Sequence, residues 1–157
     1  MSLRLSANFT LAEMVRSNTA IERGIKNKPT IQHIAHATAH ANLVLQPLRD
    51  RVGPVQITSW YRCPELNVAV GGSKTSNHMT GGTSDLRIKG MEAPDIIKLI
   101  KEMGLPFDQL IDEGFYNAAG DWISWVHCGS PPAFGAKPRG EILLARGDRR
   151  NPTYTVG

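Results

Sequence analysis

Cysteine is scarce: Cys63 and Cys128 are the full complement in 157 residues. Two thiols cannot build a disulfide framework, and they do not fall in a CxxC zinc pattern, so one bridge or two inert buried thiols are the readings left open. No stretch approaches the roughly 20 apolar residues of a membrane span, and the amino terminus MSLRLSANFTLAEM lacks the apolar core of a signal peptide. The expectation is a chain with no membrane span, exported or released by other means if it works outside the cytoplasm. Runs of basic charge are missing too. Lys and Arg number 18 against 14 Asp and Glu, a net +4, yet they are scattered and make no nucleic-acid motif. The excess suits an anionic polymer in general, and a nucleic-acid partner would rest on charge alone. Repeats and low-complexity segments are absent.

What is present reads as one domain, 1–157. Thr10 followed by Glu13 is a capping box that opens a short helix. Gly24, Asn27 and Pro29 mark a loop. From Thr30 to about Arg51, the residues Ile31, Ile34, Thr38, Ala41, Leu45 and Leu48 recur at helical period and predict the longest helix, a spine for a sheet. VQITSWYR and SDLRI read as strands, separated by a long, glycine-rich connection of the kind that carries function. APDIIKLIKEMG has Pro94 near its start and Gly104 past its end, as helices do. FDQLIDEGFY and DWISWVHCG read as strands of a hairpin turned by NAAG, EILLA as a further strand, and 146–157 as a loose polar tail. Together these predict an α+β domain with a small, mainly antiparallel sheet and helices packed against it.

Five histidines are candidates for chemistry. His33, His36 and His40 share one face of the long helix, but on a helical wheel they lie opposite Ile31, Ile34, Ala41 and Leu45, on the expected solvated side, with no carboxylate or cysteine to complete a metal set. His78 sits in a glycine-flanked loop, Asp85 opens a short strand, and His127 lies among bulky apolar residues in WISWVHCG. Two imidazoles and a carboxylate form a zinc tripod with a fourth position left for water. Spacing alone leaves a loop histidine and a paired core histidine equally open.

The run ITSWYRCPELNVAVGGSKTSNHMTGGTSD, followed by WVHCG, resembles the zinc D-Ala-D-Ala carboxypeptidases and L-alanyl-D-glutamate endopeptidases, their phage-type branch in particular. Ser59, Tyr61, Arg62 and Asn67 match S-x-Y-R-x-x-x-x-N; Ser76, His78, Gly81 and Asp85 match S-x-H-x-x-G-x-A-x-D; Trp125 and His127 match the closing tryptophan and histidine. The resemblance implies a fold like the hedgehog and D-Ala-D-Ala-peptidase group, Zn2+ held by His78, Asp85 and His127, an oxyanion-stabilising Arg62, and substrate contacts from Ser76 and Tyr61. It also implies peptidoglycan peptides as partners, action at the cell wall or periplasm, and a monomeric enzyme.

Departures from the pattern matter as well. Thr83 replaces the usual alanine and fits if it faces outward. The carboxylate that many relatives place three residues before the last histidine is Ser124 here, which cannot act as a base. The phage-type branch uses a glutamate in Q-L-I-x-E, which points to Glu113, with Asp112 as the alternative because adjacent strand residues face opposite ways. A tight NAAG turn pairing Tyr116 with Asp121 would set Glu113 against Ser124, away from His127; a base at Glu113 therefore requires a bulge or a shifted register. The resulting expectation is a zinc metallopeptidase cutting peptidoglycan stem peptides or crosslinks, the alternative a catalytically inactive zinc-binding wall or phage structural module.

Overall fold

A computed structural model describes residues 2–148 and 151–157. Among the described residues, six strands form one sheet in the order β1-β2-β4-β3-β5-β6: β1 Gln56–Ser59, β2 Thr83–Arg87, β3 Gln109–Tyr116, β4 Trp122–Gly129, β5 Glu141–Asp148 and β6 Asn151–Val156. Neighbours run antiparallel except β3 and β5, which are parallel. The α+β architecture with a mainly antiparallel sheet is the one expected.

Helices cover one face. α1 (Leu11–Val15) begins with the reciprocal Thr10–Glu13 capping box. α2 (Asn18–Arg23) precedes the loop marked by Gly24, Asn27 and Pro29, capped by Ser17 and closed by Gly24 in the left-handed conformation. α6 (Ala93–Glu102) buries Ala93, Ile96, Ile97 and Ile100, a stripe at helical spacing. These join Val44, Leu45 and Leu48 from the long helix and Leu86, Leu110, Val126 and Cys128 from the sheet in one apolar core.

The long helix is α3 (Ile31–His40), a π-helical segment (Ala41–Leu45) and α4 (Gln46–Val52). Pro47 has no N–H to return to the preceding turn, which accounts for the widened turn before it. Its buried face is centred on Ala37, His40, Ala41, Val44 and Leu48, so two expectations are corrected: Ile31 is 85% exposed and His40 is fully buried. A wheel centred on the isoleucines misplaces the buried face, because small Ala37 and Ala41, both fully buried, belong to the core side of the helix.

The connection after β1 contains α5 (Pro64–Ala69) and a 3-10 turn (Asn77–Thr80). The tail is not loose. β6 pairs with β5 from Val156 opposite Leu143 to Asn151 opposite Asp148, because the alternation in NPTYTV suits a strand once an edge is available. Positions 149 and 150 of that tail lie outside the described residues.

Candidate metal centre

β2, β4 and β3 lie side by side, with Asp85 opposite His127 and His127 opposite Ile111. Directly opposed residues share a face, so Asp85 and His127 project together from the side away from the helices. β3 and β4 pair Tyr116 with Trp122 and Glu113 with Trp125. This is the shifted register that a Glu113 base requires: residues 117–121 form the turn, and Asn117 Oδ1 accepts from the backbone N–H groups of Ala119 and Asp121. Glu113 thereby shares the face of Ile111 and His127.

His78 arrives from the 3-10 turn. Ser76 Oγ caps that turn by accepting from the His78 N–H at 3.4 Å. Gly81 ends it at φ +87°, and a Cβ there would lie 2.3 Å from the His33 carbonyl oxygen, so no other residue fits without displacing the helix. The His78 ring donates from Nδ1 to the Trp60 carbonyl at 2.7 Å, which leaves the Nε2 lone pair facing inward. Asn67 braces the same loop by donating to the Ser73 carbonyl, and Gly72 leaves room for its amide.

Three ligand atoms converge. Asp85 Oδ1 lies 3.2 Å from His78 Nε2 and 3.3 Å from His127 Nδ1, and the donor atoms of the set fall within 4.8 Å of one another. All three residues are buried. Among the described residues, Asp85 Oδ1 is nonetheless without an aligned hydrogen bond, an orphaned acceptor of the kind that native interiors rarely leave. A cation between the three atoms would satisfy it, so the residues fit zinc by donor type, number and spacing. Burial opposes ionisation of Asp85, but the charge of His78 and the contacts from both imidazoles outweigh it and hold the carboxyl below its usual range.

Asp85 Oδ2 is held by Arg62 Nη2 at 3.2 Å, and Arg62 Nε donates to Ser59 Oγ at 3.0 Å. On the other side, Glu113 Oε2 accepts from Trp125 Nε1 at 2.7 Å. Burial, with Asp85 adding to it, pushes the Glu113 carboxyl up to about 7. Trp125 was legible only as a motif match; its task of aiming Glu113 emerges from the pairing of their strands.

The remaining candidates separate cleanly. Asp112 projects from the opposite face and is buried in an ion pair with Arg146, 2.9 Å apart. Ser124 opposes Gly114 on that face as well, so no residue at position 124 could reach the metal set. Ser76 lines the cleft above the site. Tyr61 is buried in the wall of the cleft, its hydroxyl donating to the Lys28 carbonyl and its ring 4.8 Å from that of His33. Thr83 does not face outward; it is fully buried and fits because Gly129 opposite has no side chain. Both cysteines are free, and burial pushes the Cys128 thiol up to about 12.

The helical histidines are architectural. His33 Nδ1 accepts from the Thr30 N–H at the helix start. His36 Nδ1 donates to the Thr80 carbonyl. His40 touches Ser130 Oγ at 2.8 Å and Ser84 Oγ at 3.0 Å, and burial, with His127 and His78 adding, pushes it down to about 3.

A buried His/Asp/His set that leaves an acceptor unpaired, with an ionisable carboxylate beside it and an open cleft above, defines a metallohydrolase class of site. The family model described as Peptidase M15 matches residues 7–128, and the chain belongs to that family of zinc metallopeptidases. No curated protein matches the chain.

Proposed function

We propose that the protein hydrolyses peptide bonds in the stem peptides or crosslinks of peptidoglycan, next to a D-amino acid. The observation that carries this reading is the convergence of His78 Nε2, Asp85 Oδ1 and His127 Nδ1 on the same face as a Glu113 carboxylate aimed by Trp125. An open cleft of about 1570 Å³ above them exceeds the size of a small-molecule pocket and suits an extended peptide. The net charge of +4 favours an anionic wall.

His78, Asp85 and His127 would hold zinc, which when bound would supply Lewis acidity for a water and for the scissile carbonyl. Glu113 takes the proton of the attacking water and delivers it to the leaving amine, a role for which a carboxyl near neutrality is matched. Arg62 keeps Asp85 oriented and, lining the cleft, offers its remaining N–H groups to the oxyanion. Ser76, at the rim, contacts the peptide termini. The protein reaches the wall by export or by lysis of the cell.

Isolated cell wall incubated with the zinc-loaded protein, with and without chelator, tests the reading. Peptides with new amino and carboxyl termini should be released only without chelator, and their masses identify the bond. Zinc-loaded protein that binds wall and releases nothing would make it a catalytically silent wall-binding module.

A further inference from the structure

The family match ends at residue 128, yet β5 and β6 continue the sheet and extend the open face beyond Glu113. One row of opposed residues crosses that face: Trp125 pairs with Glu113, Glu113 with Ala145, and Ala145 with Tyr154. Opposed residues share a face, so Tyr154 stands on the same side as the metal set, two strands from Glu113. Strands are spaced about 4.8 Å apart, which puts the two backbones about 10 Å apart with a buried alanine methyl between them. Pro152 and Val156 occupy the same face of β6 and carry no hydrogen-bonding side chain, so Tyr154 is the polar side chain of this strand on the cleft.

Tyr154 lines the cleft, is half-exposed, and its hydroxyl has no hydrogen-bond partner among the described residues. Burial raises its hydroxyl above the ordinary value, and the charges of Glu113 and Asp85 add to this, so the group remains a donor at neutral pH while lying within electrostatic reach of the site. A half-wet tyrosine presents an apolar ring and a polar tip, the amphipathic form suited to a peptide backbone with small side chains.

We propose that Tyr154 is a substrate-contacting residue: its ring walls the cleft on the β6 side, and its hydroxyl donates to the backbone of a peptide lying across the strands beside the bond that faces Glu113. This rests on the peptidase reading above. It gives β5 and β6 a task in substrate binding.

The test compares Tyr154→Phe, Tyr154→Ala and, as a control on the opposite face of β6, Thr155→Ala. Each is loaded with zinc, and kcat and KM are measured on a wall stem peptide. Tyr154→Phe should raise KM about 2- to 10-fold, the worth of one hydrogen bond, with kcat within about twofold. Tyr154→Ala should lower kcat/KM about 10- to 100-fold through loss of the ring as well, while zinc content and Thr155→Ala kinetics match wild type. Stem-peptide affinity in a Glu113→Gln background, with and without Tyr154→Phe, gives a readout independent of turnover and should weaken by the same factor. Wild-type turnover with unchanged kcat/KM and affinity in both tyrosine variants would overturn the contact and leave the peptidase reading standing. Wild type that neither cuts nor binds the peptide would sink that reading and the contact with it.

Discussion

The two faces of the central sheet carry similar polar residues and use them in opposite ways. On the helix side, His40 is fully buried yet engaged by Ser84 and Ser130, and Asp112 is buried yet paired with Arg146. On the open side, His78, Asp85 and His127 are as deeply buried, but their facing atoms have only one another, and Asp85 Oδ1 is unpaired. Burial therefore does not separate His40 and Asp112 from the candidate ligands; what separates them is that the side-chain atoms of His40 and Asp112 already have partners, whereas Asp85 Oδ1 has none among the described residues. Strand alternation does the sorting, since Ser84 and Leu86 flank Asp85, and Val126 and Cys128 flank His127, each turned to the core.

The sharpest way to break this contrast is to remove a carboxylate from each face. Glu113→Gln should keep zinc and fold while losing about 10²- to 10⁴-fold in turnover. Asp112→Asn should stay within a few-fold of wild-type activity and lose about 1 to 2 kcal/mol of stability, as a charge-assisted hydrogen bond is weakened. Steady-state kinetics and urea unfolding read both. A dead Asp112→Asn with an active Glu113→Gln would reverse the assignment of the faces.

Arg62 comes next. Arg62→Ala, assayed at saturating zinc, should lose about 10²-fold in turnover, and its zinc affinity should fall about 10-fold or more because Asp85 loses its orienting partner. Arg62→Lys should rescue only part, since an ammonium cannot reproduce the planar fork that reaches Ser59 and Asp85 together. Unchanged kinetics and affinity in Arg62→Ala would reduce that arginine to a surface residue.

The smallest effect lies on the helix side. An unfolded histidine protonates near pH 6.5, whereas His40 in the fold is pushed down to about 3. Between those values the unfolded state holds more protons, so stability falls as pH falls, by up to about 1.4 kcal/mol per pH unit. In chelator-treated protein, the urea midpoint should drop from pH 6.5 toward pH 4 more steeply in wild type than in His40→Gln. Equal slopes would mean that His40 titrates freely.

Much of this was legible because it is local. The Thr10–Glu13 cap, the stripe of α6, and the alternation of β3 and β4 each lie within a few residues of sequence. The convergence of His78, Asp85 and His127 was legible through ordered motifs, and the β3–β4 register is the shifted one under which Glu113 shares a face with His127. What escaped depends on distant partners. His40 is buried because Ser84 and Ser130 meet it from other elements, Thr83 because Gly129 makes room, and β6 forms because β5 offers an edge. The burial of Ile31 was misjudged because Ala37 and Ala41, small residues with a weak hydrophobic signal, set the contact face of the long helix.

Zinc stoichiometry in variants of the two faces tests the metal assignment most directly. Metal content should be one zinc per chain in wild type, close to none in His78→Ala, Asp85→Ala and His127→Ala, and one again in His33→Ala, His36→Ala and His40→Gln. Zinc retained by the first three variants, or lost only from the helix variants, would contradict the claim that the open face of the sheet holds the metal.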